Sequence, residues 1–269
     1  MVQLEHGLVI IKDRGLNMSY NESIKIWRAG VSEELVNRFF LKFTYSSNKI
    51  ENNETRLRDV ETVFRGEIVS DFKGNKKTIR EIENHRDLCK DILKLCKENN
   101  LKLSTELIKH FHFVLMKDCF TEELLAKGEK EGEFKTGDYI VGLHDVGVTP
   151  LEVGENLISL INEINAVKID DNNALRVVSY FHCWFESIHP FADGNGRVGR
   201  MLLNYLLIGN NLPPIVLFEN DREQYYLALE YFNETQEIYK MVDFLEEESH
   251  KTWVKDYNLK LKNLKEFLD

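Results

Sequence analysis

Residues 174–188, ALRVVSYFHCWFESI, run directly into His189-Pro190-Phe191-Ala192-Asp193-Gly194-Asn195-Gly196-Arg197-Val198-Gly199-Arg200. In the first stretch apolar residues fall at 174, 177, 178, 181, 184, 185 and 188, the wide stripe of a buried helix. The second stretch reads as a loop feeding another helix, whose apolar side holds Met201, Leu202, Tyr205 and Leu206. Only four prolines occur (Pro150, Pro190, Pro213 and Pro214) in a chain rich in Leu, Lys, Glu and Asn. That composition predicts a mostly helical protein.

The loop itself carries chemistry. Glycines on both sides of Asn195 let the backbone approach a ligand closely and turn N–H groups into one concavity. The helix N-terminus that follows adds a partial positive charge, which suits a phosphate. Arg197 and Arg200 stand three apart on one helix face and can grip two further phosphates. Asp193 offers a hard oxygen ligand suited to Mg2+, and His189 titrates near neutrality as a general base must. Singly, each residue has an ordinary explanation: a structural histidine, an Asp-Gly turn, a solvated pair of arginines. Twelve contiguous residues supplying base, metal ligand, anion cradle and two clamps point to a site. Gly194 to Gly199 also spells GxGxxG, with Glu219 20 residues further on. A dinucleotide fold needs a strand before those glycines, and here the preceding period is helical, so that reading is rejected.

Working outward, a helix is predicted from Ser32, burying Leu35, Val36, Phe39, Phe40 and Phe43, with a second helix after a short break at Thr44–Lys49. Gly74-Asn75 marks a loop over 70–77, and helices are predicted over 78–98, 104–117 and 154–166. Residues 132–142, GEFKTGDYIVG, read as a small hairpin, and residues 8–11 as a short β-like run. The length, 269 residues, suits one large domain or two small ones, and no repeat or low-complexity linker divides it. Asp and Glu outnumber Lys and Arg by 45 to 35, giving a formal charge of -10. Such a chain lacks the broad attraction that non-specific nucleic-acid or anionic-membrane binding requires. Cys89, Cys96, Cys119 and Cys183 form no CxxC pair, so free buried thiols in a reducing compartment are expected. No signal-peptide core occurs in Met1–Arg14 and no membrane span elsewhere, so a cytoplasmic protein is predicted.

The stretch His189–Arg200 resembles the Fic family signature, HPFx[DE]GNGRxxR, at every specified position. The 132–142 segment is similar to that family's substrate-docking flap, and Pro213-Pro214 with Arg222–Tyr226 to the segment that follows its signature. The resemblance spans residues 35–250, leaving 1–34 as an N-terminal extension and 251–269 as a C-terminal helix or tail. It implies a helical bundle with a β-hairpin flap over the loop, and transfer of AMP from ATP to a Tyr, Thr or Ser hydroxyl of a target protein. By resemblance, His189 deprotonates that hydroxyl and Asp193 holds Mg2+, or Mn2+ in its place. Asn195 and the N–H groups around Gly194 and Gly196 serve the α-phosphate, Arg197 the β-phosphate and Arg200 the γ-phosphate. Tyr226 and Asn233 fall near the adenine, Phe191 anchors the loop, and Val141-Gly142-Leu143 offers an edge to an extended target segment. Lys135 stands where many members have arginine.

Ser47-Asn48-Lys49-Ile50-Glu51-Asn52 resembles the family's inhibitory pattern, [S/T]xxxE[G/N]. On a helix Ser47 and Glu51 share a face. The resemblance implies that Glu51 pairs with Arg200 and competes with the γ-phosphate for one guanidinium. In some relatives the same glutamate supports removal of AMP. Competing readings are a Fic-type phosphoryl or phosphocholine transferase, a non-catalytic protein-binding module, and a nucleic-acid-binding regulator. The intact GNGR core, the retained His189 and Asp193, and the acidic charge count against them in turn. ATP and a protein target are the expected partners. The chain itself is one candidate target, because Tyr45, Ser46 and Ser47 adjoin the brake in sequence, and a homo-oligomer is compatible with this reading.

Overall fold

The computed structural model describes residues 18–97, 102–141, 144–145 and 147–255. Tyr20, Ile24 and Trp27, four and three residues apart, share one face of α1 (Met18–Arg28), and Ser32 caps α2 (Glu33–Glu51) by accepting from the Leu35 N–H. There follow α3 (Leu57–Phe64), α4 (Lys76–Lys97), α5 (Thr105–Met116), α6 (Glu122–Ala126), α7 (Pro150–Ala166), α8 (Ala174–Ile188), α9 (Asn195–Gly209), α10 (Arg222–Thr235) and α11 (Tyr239–Ser249). A 3-10 turn, Glu219–Asp221, leads into α10, and a π-helical run, His250–Lys255, extends α11. The chain is mainly α, as its composition predicts.

Helix α9 is the centre. Met201, Leu202, Leu203, Tyr205, Leu206 and Leu207 are all buried, so this helix has no solvent face along its middle. Helix α8 packs along it, with α5, α4 and α2 on the other sides. The 174–188 helix has the bounds its periodicity predicts.

The structure differs from the sequence reading in several places. No break occurs at Thr44–Lys49, because α2 runs through it. Most of the polar groups there find partners without leaving the helix, although Asn48 Oδ1 is buried without one. Thr44 Oγ1 bonds His85 Nδ1 at 2.9 Å, Ser46 Oγ donates to Glu219 at 2.7 Å, and Asn48 donates back to the Thr44 carbonyl at 2.9 Å. Helix α7 begins at Pro150 rather than at 154, with Thr149 and Glu152 closing a capping box. The second helix expected after Lys49 starts only at Leu57, as α3, and helices α1, α6, α10 and α11 add to those predicted.

The 132–142 segment is not a hairpin along its length. Residues 129–139 instead fold around one carboxylate: Glu129 Oε1 accepts from Thr136 N, Thr136 Oγ1, Gly137 N and Tyr139 Oη at 2.6–3.1 Å. A minimal antiparallel ladder follows, Ile140 opposite Asp145 and Val141 opposite His144. Gly142 and Leu143 of the expected docking edge lie outside the described residues, as does the 8–11 run. The divisions expected at 34/35 and 250/251 fall inside continuous helix. Tyr20 of α1 is fully buried, Ser249 donates to Ser23, and Trp253 stacks on Phe39 at 5.9 Å, so both ends of the described chain join the core. Cys89, Cys119 and Cys183 are buried free thiols and Cys96 is half-buried. Among the described residues no helix is long and apolar enough to cross a membrane.

Candidate active site

The loop between α8 and α9 gathers every residue of the signature at the head of the central helix. Helix α8 ends where His189 takes a left-handed conformation, φ 51° and ψ 63°, with its N–H still bonded to the Phe185 carbonyl at 3.0 Å. That turn lifts the imidazole off the helix axis. Burial, then the nearby Lys135 charge, pushes its pKa down to about 4, against a hydrogen bond to the Glu186 main chain. The ring is therefore neutral at neutral pH, the form that can accept a proton.

The loop is braced from inside and from one flank. Both ends of the Asn195 carboxamide bond the Phe191 main chain, at 2.9 Å to its N–H and 2.7 Å to its carbonyl. The Asn195 side chain is thus spent on loop shape, and what it leaves for a ligand is the backbone N–H at the start of α9. Phe191 is fully buried and stacks on His112 with centroids 3.8 Å apart. His112 donates through Nε2 to the Asp193 carbonyl at 3.0 Å and accepts at Nδ1 from the Gly132 N–H at 2.8 Å. This fixes its tautomer, and burial keeps it neutral with a pKa of about 4. Gly194 sits at φ 84°, where a Cβ would lie 2.5 Å from Met116 Sδ, so the turn admits only glycine. Lys135 is buried beside the loop and its main-chain N–H donates to the Pro190 carbonyl at 2.9 Å.

The other flank is charged. Asp193 Oδ1 accepts from the Gly194 N–H at 2.6 Å and from Arg197 at 3.3 Å, while Oδ2 faces Lys77 Nζ at 3.5 Å. Burial opposes its charge, but Arg197 and Lys77 outweigh it and hold its pKa below the ordinary value. Arg197 also donates to Glu81 Oε1 at 2.8 Å. Arg200 is fully buried: Nε donates to Ser47 Oγ at 3.1 Å, and Nη2 donates to the Ser47 carbonyl at 3.0 Å and to Glu51 Oε1 at 2.7 Å. Burial works against the Glu51 charge, yet Arg200 and then Arg197 keep it ionised. Gly196 leaves room for this pair, since a Cβ there would stand 2.5 Å from Glu51 Oε1 and 2.8 Å from Arg200 Nη1.

Asp193 is a carboxylate one-third exposed at the mouth of the loop, ionised and already facing an ammonium group. One carboxylate beside a phosphate cradle fits Mg2+, which takes few protein ligands and completes its shell with phosphate oxygens and water. Tyr226 and Asn233 lie two turns apart on α10, both exposed. Arg222 covers the Tyr226 ring at 5.3 Å, and Ser187 Oγ donates to Asn233 Oδ1 at 2.6 Å. Ser46 and Ser47 are buried and hydrogen-bonded, so neither hydroxyl is accessible for modification while α2 is folded.

Glu81, His112, Glu129 and Glu186 were not singled out from the sequence. Glu186 lies under α9 with Oε1 buried and without a hydrogen-bond partner. Burial pushes its pKa up to about 8, against the pull of Arg200. Glu81 sits in an unremarkable charged run, 76–83, that gives no signal of its partners.

Fold and loop together are those of a Fic-type domain. Residues 102–207 match the Fic/DOC family. It is 28% identical over 220 residues to a protein adenylyltransferase Fic from Drosophila mojavensis, covering 79% of this chain and 40% of that protein. Against the Culex quinquefasciatus protein of the same name it is 25% identical, covering 72% and 37%. The chain thus spans about two fifths of the length of these relatives. Among solved structures, a Fic domain containing signaling protein from Bacteroides thetaiotaomicron superposes with a TM-score of 0.74 at 18% identity, covering 88% of this chain and 94% of that one. The Fic-1 fragment from C. elegans gives 0.74 at 18%, covering 90% and 71%.

Proposed function

We propose that this chain is a protein adenylyltransferase that moves AMP from ATP to a Tyr, Thr or Ser hydroxyl of a target protein, and that Glu51 restrains it. One observation carries the reading: the fully buried Arg200, three residues beyond Arg197 on the loop helix, is held by Ser47 and Glu51 of a different helix. A buried guanidinium paired with a single partly exposed carboxylate is an anion site whose occupant can be exchanged. The names of the relatives supply the nucleotide and the reaction.

In this reading neutral His189 takes the proton of the target hydroxyl. The hydroxyl oxygen bonds the α-phosphorus, the bond from that phosphorus to the bridging oxygen breaks, and pyrophosphate leaves. The N–H groups at the start of α9 meet the charge that develops on the α-phosphate, with no reorganisation because Asn195 and His112 already fix the loop. Arg197 and Arg200 take the outer phosphates, Arg200 only once Glu51 has withdrawn. Mg2+, when bound at Asp193, supplies positive charge to the phosphates. The α10 face with Tyr226 and Asn233 supports an adenine site, and the 140–145 ladder supports main-chain docking of the target. Three buried unpaired thiols favour a reducing, cytoplasmic setting.

The test is intact-protein mass after incubation with Mg-ATP and target-containing lysate, comparing wild type, Glu51→Gly and Glu51→Gly/His189→Ala. An adduct of AMP mass, strongest in Glu51→Gly and absent from the double variant, is the expected result. A phosphate-mass adduct would replace the reading with a Fic-type kinase. No transfer from Glu51→Gly to any protein would end the enzyme reading.

A further inference from the structure

We infer that Glu81, on the second turn of α4, is a positioning residue that aims Arg197 at the nucleotide's β-phosphate, and that Asn52 holds Glu81 in place. The inference rests on the reading of the loop as an ATP site. Arg197 and Glu81 meet at 2.8 Å with their side chains only 5% and 4% exposed, a tighter contact than the 3.3 Å from Arg197 to Asp193. Asp193 is the carboxylate that a phosphate-bound metal would claim. Once it turns away, Glu81 is the carboxylate still bonded to Arg197 among the described residues. One arm of the guanidinium fork stays pinned to Glu81. The other becomes free for a phosphate oxygen, and the buried Nε already lacks a hydrogen-bond partner.

Glu81 is itself held. Asn52 Nδ2 donates to Glu81 Oε2 at 3.0 Å and to Thr78 Oγ1 at 2.9 Å, while Asn52 Oδ1 accepts from the Glu54 N–H at 2.9 Å. The carboxamide is used at both ends, so its orientation is fixed. Glu54 closes the cluster by accepting from the Asn75 N–H at 2.9 Å and from Thr78 Oγ1 at 3.2 Å. Asn52 follows Glu51 and caps α2. The last position of the inhibitory pattern thereby gains a physical purpose: it ties the end of the brake helix to the carboxylate that aims the first signature arginine. One helix end reaches both arginines, Arg200 directly through Glu51 and Arg197 at one remove through Asn52 and Glu81.

A merely structural ion pair would disturb every nucleotide alike, whereas a pair acting through Arg197 discriminates by phosphate count. The experiment uses the full chain carrying Glu51→Gly and His189→Ala, which should bind without turnover, and titrates Mg-ATP, Mg-ADP and AMP calorimetrically. Adding Glu81→Ala is expected to weaken ATP and ADP by roughly 10- to 100-fold, as loss of a buried supporting partner does. AMP, which has no β-phosphate, should stay within about twofold. Glu81→Gln, which keeps an acceptor for Arg197, should lose less. Asn52→Ala should show the same ATP- and ADP-selective loss at smaller size, and it serves as the probe if Glu81→Ala fails to fold. Equal weakening of all three nucleotides, or no weakening, overturns the inference while leaving the ATP site intact. Failure of the parent double variant to bind ATP overturns the site reading itself.

Discussion

The loop from His189 to Gly194 has two walls held by different physics. On the side of α5 and residues 129–136 the contacts are neutral: a stacked Phe191 and His112, two hydrogen bonds through a histidine kept uncharged by burial, and the Lys135 N–H on the Pro190 carbonyl. On the side of α2 and α4 they are ion pairs: Arg200 with Glu51, Arg197 with Glu81 and Asp193, and Lys77 with Asp193. A polyphosphate with its metal competes for ion pairs of this kind and leaves neutral braces alone. Shape is thus entrusted to one wall and control to the other, so the loop can stay rigid while its charge partners change.

That division can be broken experimentally. The largest effect is expected from the neutral wall: His112→Ala removes two hydrogen bonds and a buried ring. It should cost about 2–4 kcal/mol in a urea melt. In a Glu51→Gly background it should also lower transfer on the order of 100-fold, as loss of oxyanion-site geometry does. Retained transfer would mean the loop keeps its shape without that wall. The charged wall should respond in the opposite sense. Glu51→Gly should raise transfer roughly 10- to 100-fold, the range expected when a competing carboxylate leaves a phosphate site.

The pH dependence sharpens the comparison. Because burial and then Lys135 lower the His189 pKa to about 4, the imidazole is already neutral across the physiological range. The acid limb of kcat/KM in Glu51→Gly should fall below about pH 5 rather than near the ordinary imidazole value, and Lys135→Met should move it upward. A limb near 6.5 in both proteins would contradict the buried, neutral setting. The smallest effect concerns Glu186, whose folded pKa of about 8 lies above the ordinary 4.5. A raised folded pKa means the native state holds its proton longer than the unfolded chain. The resulting stability is complete below pH 4.5 and is lost as pH rises through about 8. Glu186→Gln should flatten that decline, so that the fall in melting temperature from about pH 5 to about pH 9 is smaller in the variant than in wild type. Glu248, raised to about 7, titrates in both proteins and cancels.

What could be read from sequence follows the same line. The α8–loop–α9 unit was legible because a 3.6-residue apolar period ran into a glycine-bearing loop, while Ser47 and Glu51 were picked out by the inhibitory pattern they resemble. Contacts made across sequence distance were not. Glu81 looks like any acidic residue in a charged run until folding sets it against Arg197, 116 positions away. His112 differs from its neighbour His110 only in facing the loop. The flap misled because a single carboxylate, Glu129, replaces strand pairing over most of its length. The break expected at Thr44–Lys49 failed because tertiary partners satisfy hydroxyls that would otherwise favour a turn.

Helix α2 also sets a clock. Phe39, Phe40, Phe43 and Ile50 root it in the core, while Glu51 is its final residue. Letting go of Arg200 therefore needs only a rotation of the partly exposed Glu51 side chain, an event of nanoseconds or less. Turnover at typical enzymatic rates, about 1–1,000 per second, is far slower. Under the proposed restraint the pair re-equilibrates many times within each catalytic cycle and behaves as a dial, multiplying the rate by the fraction of time the arginine is free. Anything that shifts that fraction would be felt within a single turnover, with no slow memory of the earlier state.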